Sequence, residues 1–438
     1  MKLLEDYLYD YAQSSPQKIA IQSAEGTLTY RDLWMAVCER ASELRSDKTS
    51  VYVTKANQGL DFVIDYFAAH KAGKVVVPLE KDLPDAKFQE ISALTSHTNI
   101  PEVVSDVLFT TGTTGKQKGT MISQNVIISD AENLIDAQGF SSELTFIITG
   151  PLNHIGSLSK IWPSIIVGAT IYIMDGIKDL TAFFNVVKNA VGKVATFQVP
   201  ASLRMLIQFG EKQLKDCAEK IDFIETGAAP ISQADMEALC RLLPNTRLYN
   251  TYASTETGII ATHNFNDGYC VAGCLGKPMK HSAITIDNNG FIVCEGKTLM
   301  VGYCGDIDET NRVLKDKKVF TKDKGALDEE GRLQLTGREG DIINVGGFKI
   351  NPVEVEDAAK SMPEIDDCIC IPSPHPVLGT ALRLLYVIKE GHSVEKKALA
   401  KHLASKLEGH KIPQLYTIVD KVERTYNGKL NRKSYITE

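Results

Sequence analysis

The sequence predicts an α/β protein in two parts, a large first part of alternating strands and helices and a small α+β second part. Two observations lead there. Apolar strand-like runs alternate with amphipathic helical segments past residue 300, with no internal repeat and no low-complexity stretch. The texture then changes near residue 337, where Gly337-Arg338-Glu339-Gly340-Asp341 and Gly346-Gly347 interrupt the pattern and a separate set of strands follows. The division is expected at residues 1–338 and 339–438.

The elements follow in order. The first helix puts Leu4, Tyr7, Leu8 and Tyr11 on one face and stops at Ser14-Ser15-Pro16. Two short strands turn about Glu25-Gly26, and a helix follows from Arg31 to Leu44. VYVT, the helical DFVIDYFAAHKAG and VVVPL make a strand–helix–strand unit of the parallel kind, and FIIT, TIYIM and VATFQV continue the strands. Beyond residue 339, CICIP, LRLLYVIKE and LYTIVD read as strands and VEKKALAKHLASKLEGH as an amphipathic helix, enough for a small domain with its own core. Glycines at the junction suit a hinge, and suit a surface turn equally.

With 438 residues, 43% of them hydrophobic and 24% charged, the chain has room for two or three folded domains. A net charge of −7 argues against nucleic acid as the main partner, because phosphate-backbone binders carry a basic excess. The most apolar run, SIIVGATIYIM, is too short to span a bilayer. MKLLEDYLYDYAQ lacks the basic-then-apolar order of a signal peptide. Nine cysteines without a C-x-x-C show no metal-site rhythm and are expected as free thiols in a reducing cytoplasm.

The segment LFTTGTTGKQKG, residues 108–119, fits neither a core strand nor a helix. A Walker-type phosphate loop fails on spacing, since five residues beyond Gly112 stands Gln117 and five beyond Gly115 stands Thr120. The ingredients of an anion cradle are nevertheless present. Gly112, Gly115 and Gly119 let backbone N–H groups turn inward, Thr110, Thr111, Thr113 and Thr114 add hydroxyls, and Lys116 and Lys118 add charge. A polar turn between strand and helix has the same composition.

Further signatures follow in a fixed order: NTYASTETG from Asn250, VFTKDKGALDEEGRLQLTGREGD from Val319, INVGGFKINPVEVE up to Glu356, and RTYNGKLNR from Arg424. With TLTYRDL and FAAHKAGKVVVPL near the N-terminus, they resemble the adenylate-forming superfamily of acyl-CoA synthetases, amino-acid adenylation domains and luciferases over nearly the whole chain. The resemblance implies a large multi-subdomain N-terminal adenylate-forming domain and a small mobile α+β C-terminal domain. It also implies ATP, Mg²⁺ and a carboxylic acid as the reacting set. Thr110, Thr111, Gly112, Thr113, Thr114, Gly115 and Lys118 then embrace the β- and γ-phosphates. Asn250 and Tyr252 match the adenine contacts, and Gly227-Ala228-Ala229-Pro230 the loop beside nucleotide and acid. Thr255 matches the α-phosphate contact and Glu256 the carboxylate that carries Mg²⁺. Asp323 matches the ribose acceptor and Arg338 the arginine near ribose and phosphate. Lys429 matches the lysine that the small domain swings in to bridge the acid and the α-phosphate, with Gly340 at the hinge.

Departures from the pattern are Gln117 for a usual proline, Ala253 for glycine, Lys322 for the glycine before Asp323, a glycine at the hinge, and Glu423 and Asn427 near the C-terminus. The stretch from Pro84 to Leu108 also looks shortened. GPLNHIGS, from Gly150, resembles the segment of acyl- and aryl-CoA synthetases whose histidine borders the acid pocket, which makes His154 the candidate. No aspartate stands there to hold an amino acid's ammonium. Gly346 and Gly347 match the path of the CoA pantetheine, although a carrier protein's pantetheine would fit the same tunnel. The expected function is AMP-forming acid:CoA ligation of a fatty or aromatic acid. A carrier-protein loader and a non-catalytic nucleotide-binding scaffold are the alternatives.

Overall fold

The computed structural model describes residues 2–111, 117–339, 343–345, 348–375, 379–424 and 430–435. One long sheet forms the backbone of the large part. Five of its strands run parallel in the order Ile19–Ser23, Thr170–Ile173, Leu144–Ile148, Lys193–Phe197 and Ile221–Gly227, and Arg247–Ser254 continues parallel beside the last. From there the sheet becomes antiparallel, passing through Gly258–Asn264, Cys274–Pro278, Leu333–Arg338, Lys318–Leu327, Phe291–Gly296 and Ser282–Ile286. The parallel strand Leu144–Ile148 is buried at every position and apolar except for Thr145, whose hydroxyl donates to the Val191 carbonyl at 2.7 Å.

A second sheet of five strands carries the Thr/Gly segment. Val51–Lys55, Val75–Leu79 and Val104–Thr111 are parallel, Gln117–Ser123 returns antiparallel, and Gly302–Tyr303 pairs on its far side. The stretch after Pro84 holds the helix Asp85–His97 before the strand Val104–Thr111. Helix starts follow local chemistry: the side chains of Thr29, Ser123, Asp179 and Ser232 each accept a first-turn backbone N–H. The first helix spans Leu4–Ser14, with Leu4 and Leu8 buried and Tyr7 and Tyr11 packed beside them, as the periodicity predicts. Among the described residues, no helix is long and apolar enough to cross a membrane.

The small part pairs Ile365–His375 antiparallel with Gly379–Ile388, which runs parallel to Leu415–Ile418. Its core gathers Ile343, Val345 and Ile350 with Val355, Cys368, Leu382, Leu384, Leu399 and Leu403. The helix expected over residues 394–410 forms only over Lys396–Ala404, because Ser405 and Gly409 are poor interior helix residues. Polar contacts join the two parts. Arg204 pairs with Asp235 at 3.0 Å and reaches Asp367 of the small part at 3.9 Å, and Gln208 donates to Asp366 at 3.1 Å. All nine cysteines are free thiols.

Candidate active site

Ile148, Phe197, Gly227 and Ser254 are the carboxyl ends of parallel strands, so the segments after them emerge at one edge of the sheet. In parallel α/β sheets ligands bind at that edge. The emerging segments are Thr149 to His154, Gln198, the turn Ala228 to Pro230, and Thr255 with Glu256. Three of these four segments carry sequence-predicted residues, His154, the Ala228 turn, and Thr255 with Glu256, and topology alone gathers them.

The turn after Gly227 is conformationally unusual. Ala228 is exposed and sits at φ 66°, in the left-handed region that a non-glycine residue rarely adopts. Gly227 is held against the next strand, and a Cβ there would lie 2.8 Å from the Thr251 carbonyl oxygen. Held strain of this kind is concentrated at functional sites.

Thr255 and Glu256 occupy a tightly laced turn. Ser254 and Thr257 exchange backbone-to-hydroxyl hydrogen bonds of 3.1 Å in both directions. Gly258, at φ 67°, lies on the buried Asp130, whose Oδ1 accepts the Ile259 N–H at 2.8 Å. Burial pushes the Asp130 carboxyl well above its ordinary range. Glu256 Oε1 accepts the Tyr303 hydroxyl at 2.8 Å. Among the described residues, no three His, Cys, Asp or Glu side chains converge as a metal cage. Magnesium needs none, being held ordinarily by one or two carboxylates plus phosphate oxygens, so a lone Glu256 carboxylate fits it.

Asp323 and Arg338 are cross-strand partners in the antiparallel region, and their side chains pair at 3.4 Å. Tyr252 donates its hydroxyl to Asp323 Oδ2 at 2.9 Å while its ring packs among Ile260, Leu275 and Cys294. Burial, reinforced by the Asp323 charge, raises the Tyr252 phenol well above its ordinary value, so it stays a donor. Asn250 is buried, and its amide donates to the Cys274 carbonyl at 3.0 Å, bracing the strand edge.

On the second sheet, half-buried Thr110 faces Lys118 in register. Lys118 is ion-paired with Glu309 and lies 5.2 Å from the Tyr303 ring centre. His154 is half-buried and opens the short helix Ile155–Leu158. Gly112, Thr113, Thr114, Gly115, Gly340, Gly346, Gly347 and Lys429 lie outside the described residues, as does the side chain of Thr111.

Several supporting residues escaped the sequence reading. Gln58 donates to the Gly150 and Met174 carbonyls at 2.7 and 3.1 Å and accepts the Leu152 N–H at 3.1 Å, which fixes the segment leading to His154. Lys160 and Glu225 form a buried pair at 2.8 Å, with the ammonium 5.3 Å from the Phe197 ring centre. Tyr303, Glu309 and Asp130 join them. None has a local pattern that marks it, since each acts on a partner distant in the chain.

Two family profiles match the sequence: "AMP-binding enzyme" over residues 95–304, and "AMP-binding enzyme C-terminal domain" over residues 354–429. The chain belongs to this family of AMP-binding, adenylate-forming enzymes. An indoleacetate–CoA ligase of Aromatoleum aromaticum is 28% identical over 344 residues, covering 76% of this chain and 66% of that protein. A 2-succinylbenzoate–CoA ligase of Staphylococcus epidermidis is 24% identical over 476 residues, covering 99% of this chain and 97% of that one. The chain spans about two thirds of the length of the first relative and nearly all of the second. The fold matches ATP-bound MatB from Rhodopseudomonas palustris with a TM-score of 0.86 at 21% identity, covering 99% of both chains. It matches the o-succinylbenzoate CoA synthetase MenE from Bacillus subtilis equally well, at 0.86 and 22%, covering 99% and 98%.

Proposed function

We propose that this protein is an AMP-forming acid:CoA ligase, taking a carboxylic acid, ATP and CoA to the acyl-CoA thioester, AMP and pyrophosphate. The observation that carries the reading is that Asp323, paired with Arg338, is tied to Tyr252 on the strand that leads into Thr255 and Glu256 at the carboxyl edge of the sheet. It is what an adenylate needs: an acceptor for the ribose hydroxyls, and a donor and a metal carboxylate at the phosphates.

In the first half-reaction an oxygen of the acid attacks the α-phosphorus, and the bond to pyrophosphate breaks. Negative charge develops on the departing oxygens. Lys118 and the hydroxyl of Thr110 supply positive charge and a donor beside them, and Thr255 contacts the α-phosphate. Mg²⁺ carried by Glu256 would neutralise phosphate charge. Lys429 is assigned the ammonium that bridges acid and α-phosphate when the small domain closes, turning at Gly340. In the second half-reaction the thiol sulfur attacks the acyl carbon and AMP leaves, with pantetheine passing Gly346 and Gly347.

The named acids of the relatives, indoleacetate and 2-succinylbenzoate, support an aryl-bearing acid, with His154 beside it. The nine free thiols support a reducing, cytoplasmic setting. The test is pyrophosphate release from ATP and Mg²⁺ over a panel of aryl, fatty and amino acids, with and without CoA. A CoA-dependent thioester is expected, identified by mass. An adenylate that accumulates and ignores CoA would transfer the assignment to a carrier-protein loader. ATP binding without turnover on any acid would leave only a scaffold.

A further inference from the structure

Glu309 stands outside every motif considered so far, yet it touches the one described cation of the Thr/Gly segment. Lys118 lies on the strand Gln117–Ser123, and its ammonium is ion-paired with Glu309, with side-chain exposures of 20% and 14%. Glu309 is itself held from the other side. Arg312 donates Nε to Oε2 at 2.6 Å and Nη2 to Oε1 at 2.5 Å, and the Glu309 backbone N–H is capped by Asp306 at 3.0 Å. The hydrogen bonds from Arg312, with Lys118 adding to them, hold the carboxyl down at about 2, so it is ionised across the working pH range.

The same cluster reaches the metal carboxylate. Tyr303, whose ring lies under the Lys118 ammonium, donates its hydroxyl to Glu256 at 2.8 Å. The Tyr303 N–H is bound by Thr310 Oγ1 at 2.8 Å, one residue beyond Glu309. The backbone repeats the connection. The Cys304 N–H donates to Gly119 O at 2.7 Å, Val301 N–H to Met121 O at 2.9 Å, and Met300 N–H to Glu256 O at 2.9 Å. Residues 300–310 are thus a brace between the strand bearing Lys118 and the turn bearing Glu256.

We propose that Glu309 is a positioning residue for ATP, holding the Lys118 ammonium on the Tyr303 ring so that the phosphate cation and the Glu256 carboxylate keep one fixed spacing. The proposal rests on the reading that Lys118 meets the β- and γ-phosphates. An ammonium has three N–H donors, so the contact with Glu309 leaves others for phosphate. A free lysine loses much rotamer freedom on binding, and a lysine already held has lost it beforehand. Arg312 offsets the Glu309 charge, so the trio Lys118, Glu309 and Arg312 keeps a net positive charge toward the phosphates.

The test is calorimetric titration of ATP and, separately, AMP into wild type, Glu309→Gln, Glu309→Asp and Lys118→Met, plus the double variant Glu309→Gln/Lys118→Met. For Glu309→Gln we expect about tenfold weaker ATP binding with AMP binding unchanged, because AMP lacks the phosphates that Lys118 meets. Glu309→Asp should lie between, and the double variant should bind ATP no worse than Lys118→Met alone. Equal losses for ATP and AMP would mean a merely structural role and overturn the proposal. So would unchanged or tighter ATP binding, the latter meaning that Glu309 only competes with phosphate. If wild type itself binds AMP but gains nothing from the extra phosphates of ATP, the reading of Lys118 falls and the proposal with it. If Glu309→Gln does not fold, Glu309→Asp decides by the same ATP-to-AMP ratio.

Discussion

Asp323→Ala combined with removal of the ribose hydroxyls isolates what that carboxylate does. Oδ2 accepts the Tyr252 hydroxyl at 2.9 Å and Oδ1 faces Arg338 at 3.4 Å. A carboxylate has about four acceptor directions, so about two stay open for the 2′- and 3′-hydroxyls. A hydrogen bond to a charged acceptor is worth roughly 1.5–3 kcal/mol, about 10- to 10²-fold in affinity for each hydroxyl. Arg338 is 44% exposed, so breaking its ion pair adds no more than about 1 kcal/mol. Alanine should therefore raise the ATP dissociation constant by about 10²-fold or more. Titration calorimetry with ATP and with 2′,3′-dideoxy-ATP closes the cycle. Wild type should prefer ATP, and the variant should bind the two nucleotides alike. Asp323→Asn, which keeps an acceptor for Tyr252, separates loss of charge from loss of the buried phenol's partner. If Asp323→Ala weakened both nucleotides by the same factor, the ribose role would be refuted and Asp323 would be only a brace for Tyr252.

Lys429→Ala should abolish acyl-adenylate formation, followed as acid-dependent pyrophosphate release, and leave ATP affinity within about twofold, since the residue is assigned to the reacting centre. Unchanged adenylation would remove Lys429 from the mechanism. His70 lies buried between Glu5, 3.0 Å from Nδ1, and Asp106, 2.7 Å from Nε2. Burial opposes its charge, but Asp106 and Glu5 outweigh burial and hold it up at about 10. Because that value is raised in the folded state, its stabilisation is complete below the unfolded value of about 6.5 and is lost as pH rises toward 10, at up to about 1.4 kcal/mol per pH unit. The wild-type melting midpoint should fall across that window, and His70→Gln should flatten the fall while costing roughly 3–5 kcal/mol at neutral pH. A variant with the wild-type pH slope would show that another group titrates there. Gly258→Ala would place a Cβ 2.6 Å from both Asp130 Oδ1 and the Thr298 carbonyl oxygen in a left-handed backbone. It should cost more than about 1 kcal/mol in stability and suppress adenylation by moving Thr255 and Glu256. A melting midpoint and rate equal to wild type would refute the close packing of that turn.

Much of both sheets was legible in advance. VVVPL, FIIT and VATFQV read as strands because a parallel strand covered on both faces is mostly apolar, and the structure places them in parallel strands, with Thr149 and Gln198 just past the strand ends. The C-terminal helix was over-extended for the complementary reason. The charged, helix-favouring run after Leu403 satisfies propensity, but Ser405 and Gly409 offer it nothing to continue on.

By itself the sequence determined the family and the two-part α/β architecture, and it pointed to the residue types proposed for an adenylate site, because motifs and periodicity are local properties of the chain. Only the tertiary structure decided how those residues are held. Tyr252 meets Asp323 across 71 positions, Glu256 meets Tyr303 across 47, and Lys118 meets Glu309 across 191. Sheet order and register create such contacts, and no spacing within a motif encodes them. A side chain's partner depends on which strands lie adjacent after the whole core has packed.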